Sequence, residues 1–214
     1  MRYMYGLFTL ALALGLATAA SAVPTLLGPT GFLVTPTAET LQANDFNFML
    51  YGIEHSNSTG YTLNYGVRPN LEVGFTRLPA QQTIINAKYA FQPEGESKVG
   101  LAFGAIDATD QVNASIYAVA STKFYPGDLY GVDNFHANLG IAAGSDSRSP
   151  ITLHGLFGGL SFDLAKLVTL MVEDDGSTIN YGARGILFRN FFTEIGIAGR
   201  EHNFTGTAGY QSQF

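Results

Sequence analysis

Tyr61-Thr62-Leu63-Asn64-Tyr65-Gly66-Val67-Arg68-Pro69-Asn70-Leu71-Glu72-Val73-Gly74-Phe75-Thr76-Arg77-Leu78 is the stretch on which the fold turns. Apolar and polar residues alternate up to Val67, the pattern breaks at Arg68-Pro69-Asn70, and it resumes from Leu71. Strand side chains alternate faces, so Tyr61, Leu63, Tyr65, Val67, Leu71, Val73 and Phe75 share one apolar face, opposite Thr62, Asn64, Gly66, Glu72, Gly74 and Thr76. The pattern predicts a β-hairpin. Its polar face is poor in Lys and Glu and rich in Gly, Asn and Thr, which suits a crowded lumen better than open solvent, so the apolar face is expected to meet lipid. The unit returns late in the chain, where residues 178–184 match 62–68 and Glu194-Ile195-Gly196-Ile197 matches Glu72-Val73-Gly74-Phe75.

Upstream, one basic residue (Arg2), an apolar run over residues 7–17 and the small residues Ala20-Ser21-Ala22 form a secretory signature with a cut expected after Ala22. The run is shorter than a membrane-spanning helix needs. The chain holds 25 Gly, no Cys, 13% charged and 13% aromatic residues, and a formal charge of −6. An exported protein without cysteines does not rest on disulfides, and closing a sheet into a lipid-embedded barrel offers another source of stability, because no unpaired edge remains. The acidic balance argues against nucleic acid as a partner.

Residues 23–44 hold Gly28-Pro29-Thr30-Gly31 and Thr35-Pro36-Thr37-Ala38, too much Gly and Pro for a long regular element. They read either as a lead-in or as a plug folded into the lumen. Period-two segments follow over residues 45–53, 61–67, 71–78, 84–91, 98–106, 112–124, 135–142, 152–162, 167–173, 178–184, 191–200 and 204–214. The segment at 152–162 does not sort into two clean faces, and residues 161–166 could form one helical turn. The expected fold is an all-β, antiparallel, up-and-down transmembrane barrel of about 12 strands (about 10 to 14), preceded by a leader over 1–22, with the barrel over 45–214. Its last strand must pair with its first.

Gly28-Pro29-Thr30-Gly31-Phe32-Leu33-Val34-Thr35-Pro36-Thr37-Ala38, with Asp45 opening an apolar strand, resembles the start of YjbH-like outer-membrane barrels, a family associated with exopolysaccharide production. The resemblance covers about fifteen residues and implies a single short barrel unit in the outer membrane. The terminal aromatics Tyr210 and Phe214 look like the signal read by barrel-insertion machinery.

No catalytic motif is present, and His55, His136, His154 and His202 lack ligand spacing, so no metal or cofactor is expected. Glu173, Asp174 and Asp175 have calcium-binding chemistry, but acidic turn residues are ordinarily solvated. Glu72, Lys88, Arg184 and Glu194 fall on polar faces and are expected to point into the lumen, either as ion pairs bracing the ring or as a charge filter. Asn138 falls on the same side and is expected to accept Arg if the lumen has room. The expected function is a non-catalytic outer-membrane barrel serving exopolysaccharide export or passage of polar solutes. The alternatives are a lipid-modifying barrel enzyme and a structural or adhesive surface protein. The expected partners are outer-membrane lipid, the insertion machinery and a polysaccharide or polar solute.

Overall fold

The computed structural model describes residues 22–212 other than 80, 95–97, 113, 126–130, 145–150, 166 and 189. The leader up to Ser21 and the terminal Phe214 lie outside the described residues. Twelve strands follow one another around a closed antiparallel ring: β1 (Phe46–Ile53), β2 (Gly60–Arg68), β3 (Leu71–Arg77), β4 (Thr83–Gln92), β5 (Gly100–Ile106), β6 (Ser115–Phe124), β7 (Val132–Gly144), β8 (Gly155–Leu164), β9 (Val168–Asp174), β10 (Ile179–Phe188), β11 (Phe191–Ala198) and β12 (Asn203–Gln211). Each strand pairs with its neighbour in sequence. The ring closes where β1 meets β12, from Asn47 opposite Gln211 to Ile53 opposite Thr205, so no sheet edge is left with unpaired backbone groups.

The hairpin at 61–77 shows how the sequence sets the register. Leu63 faces Phe75 and Tyr65 faces Val73 on one side of β2 and β3, while Thr62 and Thr76 share a 3.1 Å hydrogen bond on the other. A register shift between Gly66 and Arg68 absorbs Val67 beside the turn. The same alternation holds around the ring and gives a barrel that is apolar outside and mixed inside, where buried polar side chains stand among apolar ones such as Met49, Tyr51, Ile84 and Phe192. Ile116, Leu139, Ile141, Leu156, Tyr181 and Ile195 are exposed on the exterior, whereas Asn47, Asn64, Asn86, Asn180 and Thr205 are buried within. A soluble β-protein has the opposite polarity; an apolar exterior on a closed ring is the lipid-facing arrangement. Exterior rings cluster at the end that carries the start of β1 and the close of β12, called the lower end below. Phe46 and Phe191 flank Tyr210, and Phe124 stacks on Phe135, which also meets Phe162. Aromatic girdles of this kind mark a membrane–water boundary.

Several elements differ from the sequence reading. Strand β8 starts at Gly155, later than expected, and its faces do sort: Leu156 and Leu160 point out, while Phe157 and Ser161 point in and are buried. The inner position of Phe157 obscured the alternation, because an aromatic can fill this lumen as well as face lipid. Residues 161–164 continue that strand and form no helical turn. His154 precedes the strand instead of lying within it.

Residues 22–41 run inside the ring. The segment turns at Leu26-Leu27-Gly28 and doubles back through bridges between Pro24 and Thr30 and between Gly31 and Pro36. It comes out at the lower end, where Asn44 N–H donates to the Gly66 carbonyl just before β1.

Candidate functional site

The four lumen charges expected from the sequence form two cross-strand pairs. Glu72 on β3 stands directly opposite Lys88 on β4, and Arg184 on β10 directly opposite Glu194 on β11. The Lys88 ammonium lies 3.8 Å from the Glu72 carboxylate, and the Arg184 guanidinium 2.7 Å from Glu194. All four side chains are buried, and a buried charge needs both a partner and hydrogen bonds. The second requirement is met by the inner segment.

The Glu72 carboxylate accepts the N–H groups of Thr30 (2.9 Å) and Leu41 (3.2 Å) and the Thr30 hydroxyl (3.0 Å). Lys88 donates to the Thr30 carbonyl at 2.9 Å and to the Thr30 hydroxyl oxygen. Arg184 donates to the carbonyls of Gly31 (3.2 Å) and Phe32 (3.1 Å). Glu173, read from the sequence as a solvated turn residue with calcium-binding chemistry, instead performs the same task from β9: it accepts Val34 N–H (2.6 Å), Thr35 N–H (3.0 Å) and the Thr35 hydroxyl (2.6 Å). Its former companions do not join it. Asp174 accepts Gly176 N–H, and Asp175 accepts Ser177 N–H, Thr178 N–H and the Asn180 amide, so both serve the β9–β10 turn.

Carboxamides complete the grip. Asn47, Asn64 and Asn86 donate to the carbonyls of Ala22, Gly28 and Leu27 at 2.6, 2.7 and 3.0 Å, and Asn138 donates to the Pro36 carbonyl at 2.8 Å and to the Thr35 hydroxyl at 3.0 Å. Asn138 therefore has no room beside it for Arg, contrary to the sequence expectation, because the segment occupies that space. Small wall residues admit the segment's apolar side chains. A Cβ on Gly196 would come within 2.6 Å of the Leu33 side chain.

The two ends of the lumen differ. At the upper end, Leu27 meets Leu78, Ile84, Ile106 and Leu153 around a void of about 20 Å³, and above this layer a cavity of about 430 Å³ opens among the loops, lined by Ile53, His55, Leu78, Ile151 and Asn203, among others. The apolar layer itself has little space for water. At the lower end, a cavity of about 290 Å³ is lined by Ala22, Glu39, Asp45, Glu94 and Gln211, among others. Lys123 and Glu39 pair there at 3.0 Å. Glu94 accepts from the Ser121 hydroxyl and lies 2.8 Å from Nε2 of His136, while Ser121 Oγ accepts Ala38 N–H at 2.8 Å. Burial works against the Glu94 charge, but the hydrogen bond and charge of His136, the Ser121 hydroxyl and the nearby Lys123 outweigh it and hold the carboxyl below the usual carboxylate range. Phe32 sets its ring edge-on to His136, with centroids 5.0 Å apart.

Ser121, Glu94 and His136 thus meet, but the carboxylate stands between hydroxyl and imidazole. A nucleophile needs its base within hydrogen-bond reach, and here both bond the same acid. Of the remaining histidines, His55 and His202 lie at the upper loops. Among the described residues no group of three or more His, Asp or Glu is disposed to hold a metal ion. Ser121, Lys123 and Glu173 were discoverable by carrying the period-two count to each strand's end. Glu39 and Glu94 lie off the strands, where alternation says nothing.

No protein-family profile and no curated protein matches this chain. Among solved structures it is similar to Ail, the attachment invasion locus protein of Yersinia pestis, at 12% identity over 80% of this chain and 100% of that one. The TM-score of 0.18 is too low for that likeness to carry an argument.

Proposed function

We propose that the chain is a non-catalytic outer-membrane barrel, exported behind a leader cut after Ala22, whose lumen is closed by its own residues 23–44 and serves polar material when that segment is displaced. The observation that carries the reading is the chemistry of the grip. The inner wall holds the segment through carboxylates, cations and carboxamides aimed at main-chain groups. Every one of those wall groups is equally well satisfied by water or by the hydroxyls of a glycan, so a barrel without the segment has a wettable wall. An exopolysaccharide is the fitting class of cargo on that ground, and the resemblance of residues 28–38 to YjbH-like barrels points the same way. Lipid chemistry at a rim is the weaker reading, since Ser121 gives its proton to Glu94 and not to a base.

The test is single-channel recording in planar bilayers of the chain beginning at Val23 and of a version lacking residues 23–41. The intact barrel should be silent and the shortened one conducting. A shortened barrel that migrates as a folded, heat-modifiable species and yet carries no current would overturn the passage reading and leave a purely structural or adhesive barrel, a role the tightly filled lumen also suits.

A further inference from the structure

We infer that the lower end of the lumen is a binding site for the chain's own amino terminus: an α-ammonium at Val23 docks on the side-chain carboxamides of Asn47 and Gln211. The inference rests on the proposed cut after Ala22.

Val23 cannot carry its nitrogen far. Its side chain is buried, its carbonyl accepts Gly31 N–H at 2.9 Å, and Pro24 beside it is bridged to Thr30. The nitrogen is one bond from a main chain pinned within the ring. A cut after Ala22 therefore creates a cation inside the barrel, where a charge must find acceptors.

The same cut removes an acceptor. Asn47 is fully buried, and its Nδ2 donates to the Ala22 carbonyl at 2.6 Å. Without Ala22 that donor has nothing to bond. Its Oδ1 already has no hydrogen-bond donor among the described residues, and neither does the buried Oε1 of Gln211, which stands directly opposite Asn47 where β1 meets β12. Other buried wall oxygens share this state, Asn64 Oδ1 and Asn138 Oδ1 among them; Asn47 and Gln211 are set apart because the two stand opposite each other beside the position of the new terminus, where a donor can satisfy both. An ammonium carries three donors and is the group that satisfies both oxygens at once. Gln211 and Ala22 line the cavity that also receives Asp45, Glu39 and Glu94, three carboxylates against the Lys123 and His136 that pair with the last two. The two carboxamides belong to the first and last strands, so the docked ammonium bridges the seam that closes the ring. Processing and closure are thereby coupled: the uncut chain lacks the cation that ties the segment to that seam.

The experiment refolds protein beginning at Val23 into detergent micelles and follows acetylation by a water-soluble N-hydroxysuccinimide ester, read by mass spectrometry. In the folded barrel the α-amine should react at least about tenfold more slowly than in urea, while exposed Lys98 reacts alike in both. Asn47→Leu should abolish the protection, and Asn47→Asp, which keeps an acceptor, should retain it. If Asn47→Leu does not give a heat-modifiable barrel, a chain beginning at Ala22 provides the same test: it restores the Ala22 carbonyl to Asn47, moves the ammonium out by one residue away from the two oxygens, and should label several-fold faster than the Val23 amine though, Ala22 being buried too, more slowly than unfolded chain. A Val23 amine that labels as fast folded as unfolded or that stays protected in Asn47→Leu, or an Ala22 amine as protected as the Val23 amine, overturns the proposal. A native terminus mapped elsewhere than Val23 would instead overturn the cleavage reading on which it stands.

Discussion

Removing Glu173 should loosen the inner segment without opening the ring. In Glu173→Ala the N–H groups of Val34 and Thr35 lose their acceptor, and the Thr35 hydroxyl loses its own. Each buried, orphaned N–H costs about 1–3 kcal/mol, which gives about 2–6 kcal/mol for the pair; water entering the vacated carboxylate space recovers part of it, leaving about 3 kcal/mol. That corresponds to a rise on the order of 100-fold in the population with the segment released. The chain contains no cysteine, so a single Thr37→Cys probe reports cleanly. Thr37 is 1% exposed, and the thiol should react with a maleimide only when the segment leaves. Provided reclosing outpaces labelling, the rate follows the released population and should climb about 100-fold in Glu173→Ala. Glu173→Gln, which keeps one carbonyl acceptor, should give a smaller rise of about tenfold. Labelling that rises less than about threefold in Glu173→Ala, in a barrel still heat-modifiable on gels, would refute the claim that these hydrogen bonds hold the segment.

Three further outcomes are expected. Ile141→Arg, at a position 62% exposed on the outer face, puts a cation into lipid at about 2–4 kcal/mol near mid-depth and should block assembly, whereas Asn138→Arg should fail because the lumen is filled and Asn138→Ala should assemble; heat-modifiable migration reads all three. The folded state holds the Glu94 carboxyl below its ordinary range, so its contribution to stability is present above the ordinary glutamate pKa of about 4.3 and is lost as pH falls below it; the urea midpoints of wild type and Glu94→Gln should differ at neutral pH and draw together on acidification. Deleting residues 210–214 removes Tyr210 and Gln211 from the β1–β12 seam, along with the Ser212 contacts to Phe46, and should leave degraded or aggregated chain in place of a compact barrel, with Phe214→Ala milder; a truncated chain that still migrates as a barrel would contradict the closing pair.

What the sequence disclosed follows from the period of two. Wherever one strand face is largely apolar and the other carries Gly, Asn, Thr or a charge, as in β2, β3, β4, β10 and β11, alternation alone set the element, its facing and the direction of Glu72, Lys88, Arg184 and Glu194. It failed at β8 because Phe157 fills the lumen with an apolar group. Residues 22–44 were legible only as irregular. Their position inside the ring depends on contacts such as Val34 to Glu173, which are far apart in sequence and carry no local signature. The pairing of Glu94 with His136 was hidden for the same reason.

The polar side chains of the wall hold the occupant almost wholly by its peptide groups, while its Leu26, Leu27, Leu33 and Val34 side chains pack among the wall's apolar ones. Carbonyls of Ala22, Leu27, Gly28, Thr30, Gly31, Phe32 and Pro36 and amides of Thr30, Val34, Thr35, Ala38 and Leu41 are the parts held, with the hydroxyls of Thr30 and Thr35 added. Such a surface recognises a path through space more than a set of side chains. The covalent link at Asn44 supplies proximity and nothing else, so a separate peptide with the sequence of residues 23–41, offered at millimolar concentration to a barrel lacking them, should thread in and silence it. Peptides keeping the glycines, prolines and threonines while exchanging Leu26 or Val34 for other apolar residues should compete with it on nearly equal terms.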